Sequence, residues 1–475
     1  MRNDSDLDKV LVWLTEQDGI TLRQLFEGLI VLGTSGSAKT STSAHMFAHA
    51  FMDAGMGGLF LTTKEDEKDQ IREWARVCGR EQDLVIFKPT NPYYFDIMEW
   101  EAKRQDGSDT ETVVGLFMVI IEIANGGSIQ SKETYWILSM RQMLRNTVDM
   151  LKCAGEVVSI ENMYLYIITA PTSVSRLGSG DFQKDSFCFK CLNAATDNFE
   201  QLADSHDKPI HFDDFDISFK YWTHEFPNLA EKTRSIIVSM FTSTADAFLR
   251  GNLKRLFNTD PRKQEAAPEL ARQGKIIILD LPIKKYEQTG VIAQGAYKLC
   301  FQKAMERERI TAQTPNVFLF ADECGFTLTS YEDSFQSTAR SSRIATFYLT
   351  QSLSNVKLNL GENAEQRAKS LLTNLGTKIF HAQVDDDTTL WASKLIGEDW
   401  SLQSTSSSSF NQEDTGQLST SLAEQRRFIL EPIVFSRLLR GGAPNDYIAS
   451  AIVHQVGRTW STGENFLEVF MKQEY

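Results

Sequence analysis

The sequence lacks the features that would tie it to a membrane, an oxidising compartment or a polyanionic coat. Six cysteines among 475 residues are too sparse for a disulfide framework and suit a compartment where thiols stay reduced. Basic side chains are outnumbered, 49 against 63 acidic ones, for a net charge of −14. That excludes a bulk cationic surface, so any DNA contact has to come from local basic positions. No stretch approaches the roughly 18–20 apolar residues that cross a bilayer; the best, Val113 to Ala124, is short and contains Glu122. The start, Met1-Arg-Asn-Asp-Ser-Asp6, is polar and acidic with no apolar segment behind it, so no signal peptide is expected. The expectation is a soluble, cytoplasmic protein with no direct membrane span.

What is present is ordinary globular composition, 42% apolar and 24% charged, which excludes a wholly disordered or collagen-like chain. The length fits about two to four domains, or one domain with a large insertion. Patterning divides it into three stretches. Over residues 1–103, short apolar runs such as Leu29-Ile-Val-Leu32, Gly58-Leu-Phe-Leu61 and Leu84-Val-Ile-Phe87 alternate with helical patterns. That alternation predicts βαβ units on a parallel sheet. Over residues 104–265 the spacing turns helical, as in Thr112–Ala124, Glu133–Leu151 and Leu229–Phe248, and predicts an all-α insertion. Over residues 266–475 strands return, with Lys275-Ile-Ile-Ile-Leu279, Asn316–Ala321, Ile344–Leu349 and Lys378–His381 completing the sheet. Within this block, about 403–420 is rich in Ser, Thr, Gln and Asn, which cannot form a core and predicts a mobile loop. The fold class expected is α/β: a mostly parallel sheet with helices on both faces, interrupted by a helical domain.

Gly33, Thr34, Ser35, Gly36, Ser37, Ala38, Lys39 and Thr40 follow a buried strand and, with Ser41, open a helix. They fit the P-loop pattern except that Ala38 stands where glycine is usual. Small residues let backbone N–H groups converge on phosphate oxygens at the positive end of a helix. Lys39 would place a cation on the β and γ phosphates of ATP, and the Thr40 hydroxyl would ligate Mg²⁺. The extra methyl of Ala38 is expected to sit in a helical first turn.

Asn316-Val-Phe-Leu-Phe-Ala-Asp-Glu323 is an apolar strand ending in two carboxylates. On a parallel sheet the carboxyl ends of strands lie beside the P-loop. Asp322 would then bind Mg²⁺, and Glu323 would orient and deprotonate the attacking water. The next strand ends at Gln351, an amide placed to sense the γ-phosphate, and Arg340 and Arg343 just precede that strand. Thr63-Lys-Glu-Asp66 superficially matches a guanine-recognition motif. It comes before Asp322 instead of after it, which excludes a GTPase switch.

This ordered series resembles the TraD/TraG-type coupling ATPases of conjugation, within the HerA/FtsK superfamily of RecA-like translocases. The similarity runs over most of the chain beyond about residue 20. It rests also on Leu61-Thr-Thr-Lys64, Tyr221-Trp-Thr-His-Glu-Phe-Pro227, Gly274–Pro282, Ser337–Ser352, Leu372–Phe380 and Trp391–Gly397. The resemblance implies a homo-oligomeric ring, usually hexameric, that hydrolyses ATP between subunits and pulls single- or double-stranded DNA through its channel. A helical insertion would contact a relaxase, nuclease or secretion component. By position, Arg340 matches the family's arginine finger and Gln351 its sensor glutamine. The chain departs from the family at Ala38 and in beginning its P-loop strand within 30 residues of Met1, where conjugation members commonly carry transmembrane helices. An ATP-gated scaffold that recruits a nuclease or relaxase without translocating is the alternative.

Other constellations have plainer readings. Cys188-x₂-Cys191 followed by His206 and His211 falls within zinc-finger spacing, but Phe187 and Phe189 beside the cysteines point to a packed helix. His45 and His49 share a helix face with no acidic motif beside them. Arg250, Lys254, Arg255, Arg262 and Lys263 read as a solvated face before a DNA track.

Overall fold

The computed structural model of the chain describes residues 7–90, 92–104, 109–127, 134–202, 210–260, 262–358, 360–361, 363–410 and 416–474. Nine strands form one sheet. In chain order they are β1 (Leu29–Leu32), β2 (Gly57–Leu61), β3 (Leu84–Phe87), β4 (Ile276–Leu279), β5 (Val317–Ala321), β6 (Ile344–Thr350), β7 (Thr377–Phe380), β8 (Ile448–Gln455) and β9 (Phe466–Lys472). Their spatial order is β9-β8-β7-β1-β6-β5-β2-β4-β3. The seven strands from β7 to β3 pair in parallel, whereas β8 runs antiparallel to β7 and β9 antiparallel to β8. The two reversals leave β9 pointing the same way as β1.

Burial explains why these segments became central strands. Every residue of β1, β2, β4, β5, β6 and β7 is buried, and a strand covered on both sides needs a continuous apolar run. Alternate side chains then feed two cores: Leu29 and Val31 face one, Ile30 and Leu32 the other. The first is a phenylalanine layer under the helix α1 (His45–Asp53), in which Phe51 stacks on Phe318 at 5.4 Å and Phe320 on Phe347 at 4.6 Å. The helix α2 (Glu67–Val77) covers the same face through Ile71 and Trp74.

The chain leaves the sheet at Tyr93–Tyr94 and returns at Gln264–Glu265, and these two short segments pair in parallel. Between them every described element is helical, chiefly α3 (Thr110–Ala124), α4 (Thr134–Cys153), α5 (Ile160–Ile168), α6 (Phe187–Leu202) and α7 (Glu231–Phe248). Val113, Phe117, Met143 and Phe241 pack in the same apolar cluster as Leu59 and Leu61 of the sheet, so this helical segment shares the sheet's second core. After it come the long helix α8 (Ile283–Arg307) and, beyond β5, α9 (Glu332–Thr338). Among the described residues no helix is long and apolar enough to cross a membrane.

Where a mobile loop was expected at 403–420, the described residues are strands, and 411–415 lie outside the described residues. Glu398–Phe410 and Gly416–Phe428 pair as an antiparallel ribbon, in register from Glu398 opposite Phe428 to Phe410 opposite Gly416. Poor apolar content excludes a core, but a two-strand ladder needs only backbone N–H and C=O groups, which serine and threonine supply as well as valine does.

Candidate nucleotide site

The loop after β1 is bound from two neighbouring strand ends. Gly33 N donates to the Thr350 carbonyl at 3.3 Å and Thr34 N to that of Ala382 at 3.0 Å. Gly36 then adopts φ +73° and Ala38 φ +65°, and only at Lys39, φ −52°, does the chain enter helical space. The first turn is wide, a π turn over Thr40–Ala44 that continues into α1. Ala38 therefore stands in the left-handed region and not in a helical first turn, because the loop reverses twice between β1 and α1. There an L residue's Cβ crowds its own carbonyl at a cost of about 1–2 kcal/mol, which glycine escapes. Ala38→Gly is accordingly expected to raise unfolding stability by about 1 kcal/mol. Urea denaturation checks this, and an unchanged or lower midpoint would show that the loop is not strained at this position.

Three strand ends converge beside this loop. Glu323, following β5, is itself left-handed at φ +46° and ψ 49°, with its N–H on Asp322 Oδ1 at 2.8 Å. Strained backbone at a carboxylate is characteristic of functional sites. Glu323 Oε1 lies 3.9 Å from Lys39 Nζ and accepts from Gln351 Nε2 at 2.9 Å. One carboxylate oxygen is thus where the P-loop lysine, the acidic strand and the glutamine at the tip of β6 meet. Asp322 is buried at the same edge, and its carbonyl accepts from Thr63 Oγ1 at 3.1 Å. Ser35 to Ser41, Lys64, Lys284, Glu323, Gln351 and Gln473 line a cavity of about 360 Å³ here.

Two further side chains were not read from the sequence. Glu67 begins α2 and is buried; its Oε2 accepts from Thr63 N at 2.6 Å, while Oε1 has no hydrogen-bond partner among the described residues. Burial, with the charge of Asp322 second, pushes its carboxyl up to about 7. Its place beside Asp322 depends on β2 bordering β5, which nothing local in the sequence announces. His381, at the end of β7, pairs its Nε2 with Ser43 Oγ at 2.8 Å. Burial and the Lys39 charge push it down to about 3, so it stands beneath the P-loop helix as a neutral strut at neutral pH.

Arg340 is not brought to this cavity. It precedes β6, whose other end carries Gln351, and so lies at the opposite edge of the sheet. It is exposed, 3.3 Å from Glu27, and borders a separate cleft with Arg23 and Arg343.

The remaining constellations pack or pair. Cys188 and Cys191 are buried on α6, and burial pushes both thiols up, Cys191 to about 12, away from the thiolate a metal needs. His206 lies outside the described residues. Among those described, no three His, Cys, Asp or Glu gather closely enough to hold a metal ion. The His45 and His49 rings lie 4.0 Å apart, tilted to each other, and Trp74 meets both edge-on. Arg250, Lys254 and Arg262 pair with Asp246, Glu161 and Asp260.

Comparison with known proteins bears on both halves of the sheet. Residues 316–439, from the β5 strand past the ribbon, match the family model TraG-D_C, described as the TraM recognition site of TraD and TraG. No curated protein matches the chain. Among solved structures, the bacterial conjugative coupling protein TrwBdeltaN70 in its unbound form is 12% identical. The alignment covers 99% of this chain and 92% of that one with a TM-score of 0.59. TrwB with the non-hydrolysable GTP analogue GDPNP is 11% identical over 99% and 92%, TM-score 0.60. TrwB with ADP and Mg²⁺ is 12% identical over 100% and 91%, TM-score 0.56. The resemblance to the TraD/TraG-type conjugative coupling ATPases is therefore borne out at two levels, a TraG-D_C match from 316 to 439 and the RecA-like coupling-protein fold along the chain.

Proposed function

We propose that the chain is an ATP-hydrolysing motor of the coupling-protein type, assembling as a ring, hexameric in the usual form, that binds and moves DNA. The observation that carries this is the meeting of Lys39 and Gln351 on Glu323 Oε1. P-loop, acidic strand and sensor arrive at one point although the sequence separates them widely.

The residues fit ATP and Mg²⁺. The Thr40 hydroxyl and the Asp322 carboxylate are oxygen donors of the kind a hard dication takes, and Glu67 is a buried carboxylate close enough to feel the charge of Asp322. When bound there, Mg²⁺ would neutralise charge on the phosphate oxygens. Lys39 holds the β and γ phosphates, with N–H groups of the loop beyond Ser37 around them. Glu323 orients the attacking water and takes its proton, and Gln351 fixes the carboxylate that does so. Arg340, remote from its own cavity and exposed, acts on the nucleotide of a neighbouring subunit as the arginine finger. A relaxase, nuclease or secretion component is the protein partner of this reading.

A second reading, an ATP-gated scaffold that recruits such a partner without translocation, is favoured by the strained Ala38 in the phosphate loop. The experiment that separates them is ATP turnover with and without single- and double-stranded DNA, alongside native mass and a Lys39→Ala control. A motor gives turnover that rises severalfold with DNA and with protein concentration. Slow turnover indifferent to DNA, with assembly driven by ATP binding, supports the scaffold instead. ATP binding equal in wild type and Lys39→Ala would end both readings.

A further inference from the structure

The last strand ends at the phosphate loop, and its first residue beyond β9 reaches into the cavity. We propose that Gln473 is a nucleotide-binding residue that contacts the sugar and α-phosphate end of the bound nucleotide. This deepens the ATPase reading above and rests on it.

Topology sets the polarity. β1 carries the phosphate loop; β6 and β5, on one side of it, carry Gln351 and Glu323, where the γ-phosphate belongs. β7, β8 and β9 lie on the other side, and because β9 runs parallel to β1, Gln473 emerges at the same edge from the side away from Glu323. A nucleotide whose γ-phosphate lies against Glu323 therefore extends its α-phosphate and sugar towards Gln473.

The side chain is held for that purpose. Its Oε1 accepts from Gly442 N at 2.5 Å, and its Nε2 donates to Ser41 Oγ at 2.7 Å, one residue past Thr40. Gly441, at φ +73°, makes room, since a Cβ there would overlap the Gln473 carboxamide. The phosphate loop is tied at both ends by the two segments that meet here: Glu474 N donates to the Ser41 carbonyl at 2.9 Å, and Arg440 Nη2, beside Gly441, to that of Ser35 at 2.7 Å. A primary amide has two N–H groups, and the second on Gln473 has no acceptor among the described residues. Gln473 lines the cavity, so a phosphate or ribose oxygen is the acceptor chemistry that this donor meets there.

The test measures binding of ATP, 2′-deoxy-ATP and inorganic pyrophosphate, each with Mg²⁺, to the full chain and to Gln473→Ala, Gln473→Glu and Lys39→Ala. Pyrophosphate fills the β and γ positions without a sugar or an α-phosphate ester. Gln473→Ala is expected to weaken ATP about three- to tenfold, the worth of one hydrogen bond, and to leave pyrophosphate unchanged. Gln473→Glu keeps the acceptor for Gly442 N but sets an anion by the α-phosphate, so it is expected to weaken ATP further. 2′-Deoxy-ATP binding that is insensitive to Gln473→Ala assigns the contact to the 2′-hydroxyl; sensitivity equal to that of ATP assigns it to the α-phosphate or to another sugar oxygen. The proposal is overturned if Gln473→Ala binds ATP as wild type does while Lys39→Ala does not. It is overturned equally if Gln473→Ala loses pyrophosphate along with ATP, or if Gln473→Glu restores ATP binding, since both outcomes mark a role in holding the loop. Lys39→Ala binding ATP normally would instead bring down the underlying ATPase reading.

Discussion

Glu323→Gln is expected to lower ATP turnover by a factor of about 10²–10⁴ while ATP still binds. The two side chains are close in shape, and the amide oxygen can still accept from Gln351 Nε2 and lie near Lys39 Nζ, so the contacts at Oε1 survive the exchange. What is lost is basicity. A carboxylate takes the proton of the attacking water as the water adds to the γ-phosphate, and a neutral amide does not. At about 1.4 kcal/mol per decade, the loss corresponds to roughly 3–6 kcal/mol of transition-state stabilisation. Steady-state hydrolysis and binding of a fluorescent ATP analogue, measured on the same preparation, separate the two effects. Turnover within a factor of two of wild type would remove Glu323 from the chemistry. Loss of ATP binding together with turnover would mean that the carboxylate serves the loop's structure.

The strands and the polar side chains that follow them could be read from the sequence because both are written locally. Leu29–Leu32, Ile276–Leu279 and Val317–Ala321 are continuous apolar runs, and burial on both faces is what such runs are for. Lys39 stands out through the glycine-rich pattern around it, and Asp322 and Glu323 as carboxylates directly after an apolar run. The order of the strands is not local. β1 lies between β6 and β7, both far along the chain, and nothing near Leu29 announces it. Several contacts that depend on that order were therefore missed. Glu67 matters because β2 borders β5, His381 because β7 borders β1, and Gln473 because two antiparallel reversals turn β9 back to the phosphate loop. Ala38 was misplaced for a related reason, since its φ is set by closure of the loop between two elements and not by alanine's own preference. The Ser-rich stretch was misread because composition tests for a core, whereas the ribbon at 398–428 is held by its backbone ladder.

Beneath the acidic strand, Lys298 of α8 and Glu332, the first residue of α9, form an ion pair with side-chain exposures of 0% and 1%. Glu332 also accepts from Tyr348 Oη at 2.7 Å and Gln302 Nε2 at 3.2 Å. Lys298→Met is expected to cost about 3–5 kcal/mol of unfolding stability, because it leaves a buried carboxylate with neutral donors only. The pair itself is worth far less than that figure, so Lys298→Met combined with Glu332→Leu is expected to recover most of the loss. Urea denaturation of the two variants distinguishes a penalty of isolation from a strong bond. If the double variant is as unstable as the single one, the cost lies in packing. The pair also anchors the start of α9, the helix that leads from the acidic strand to Arg340. A buried cation thus holds the first residue of the helix that leads towards Arg340.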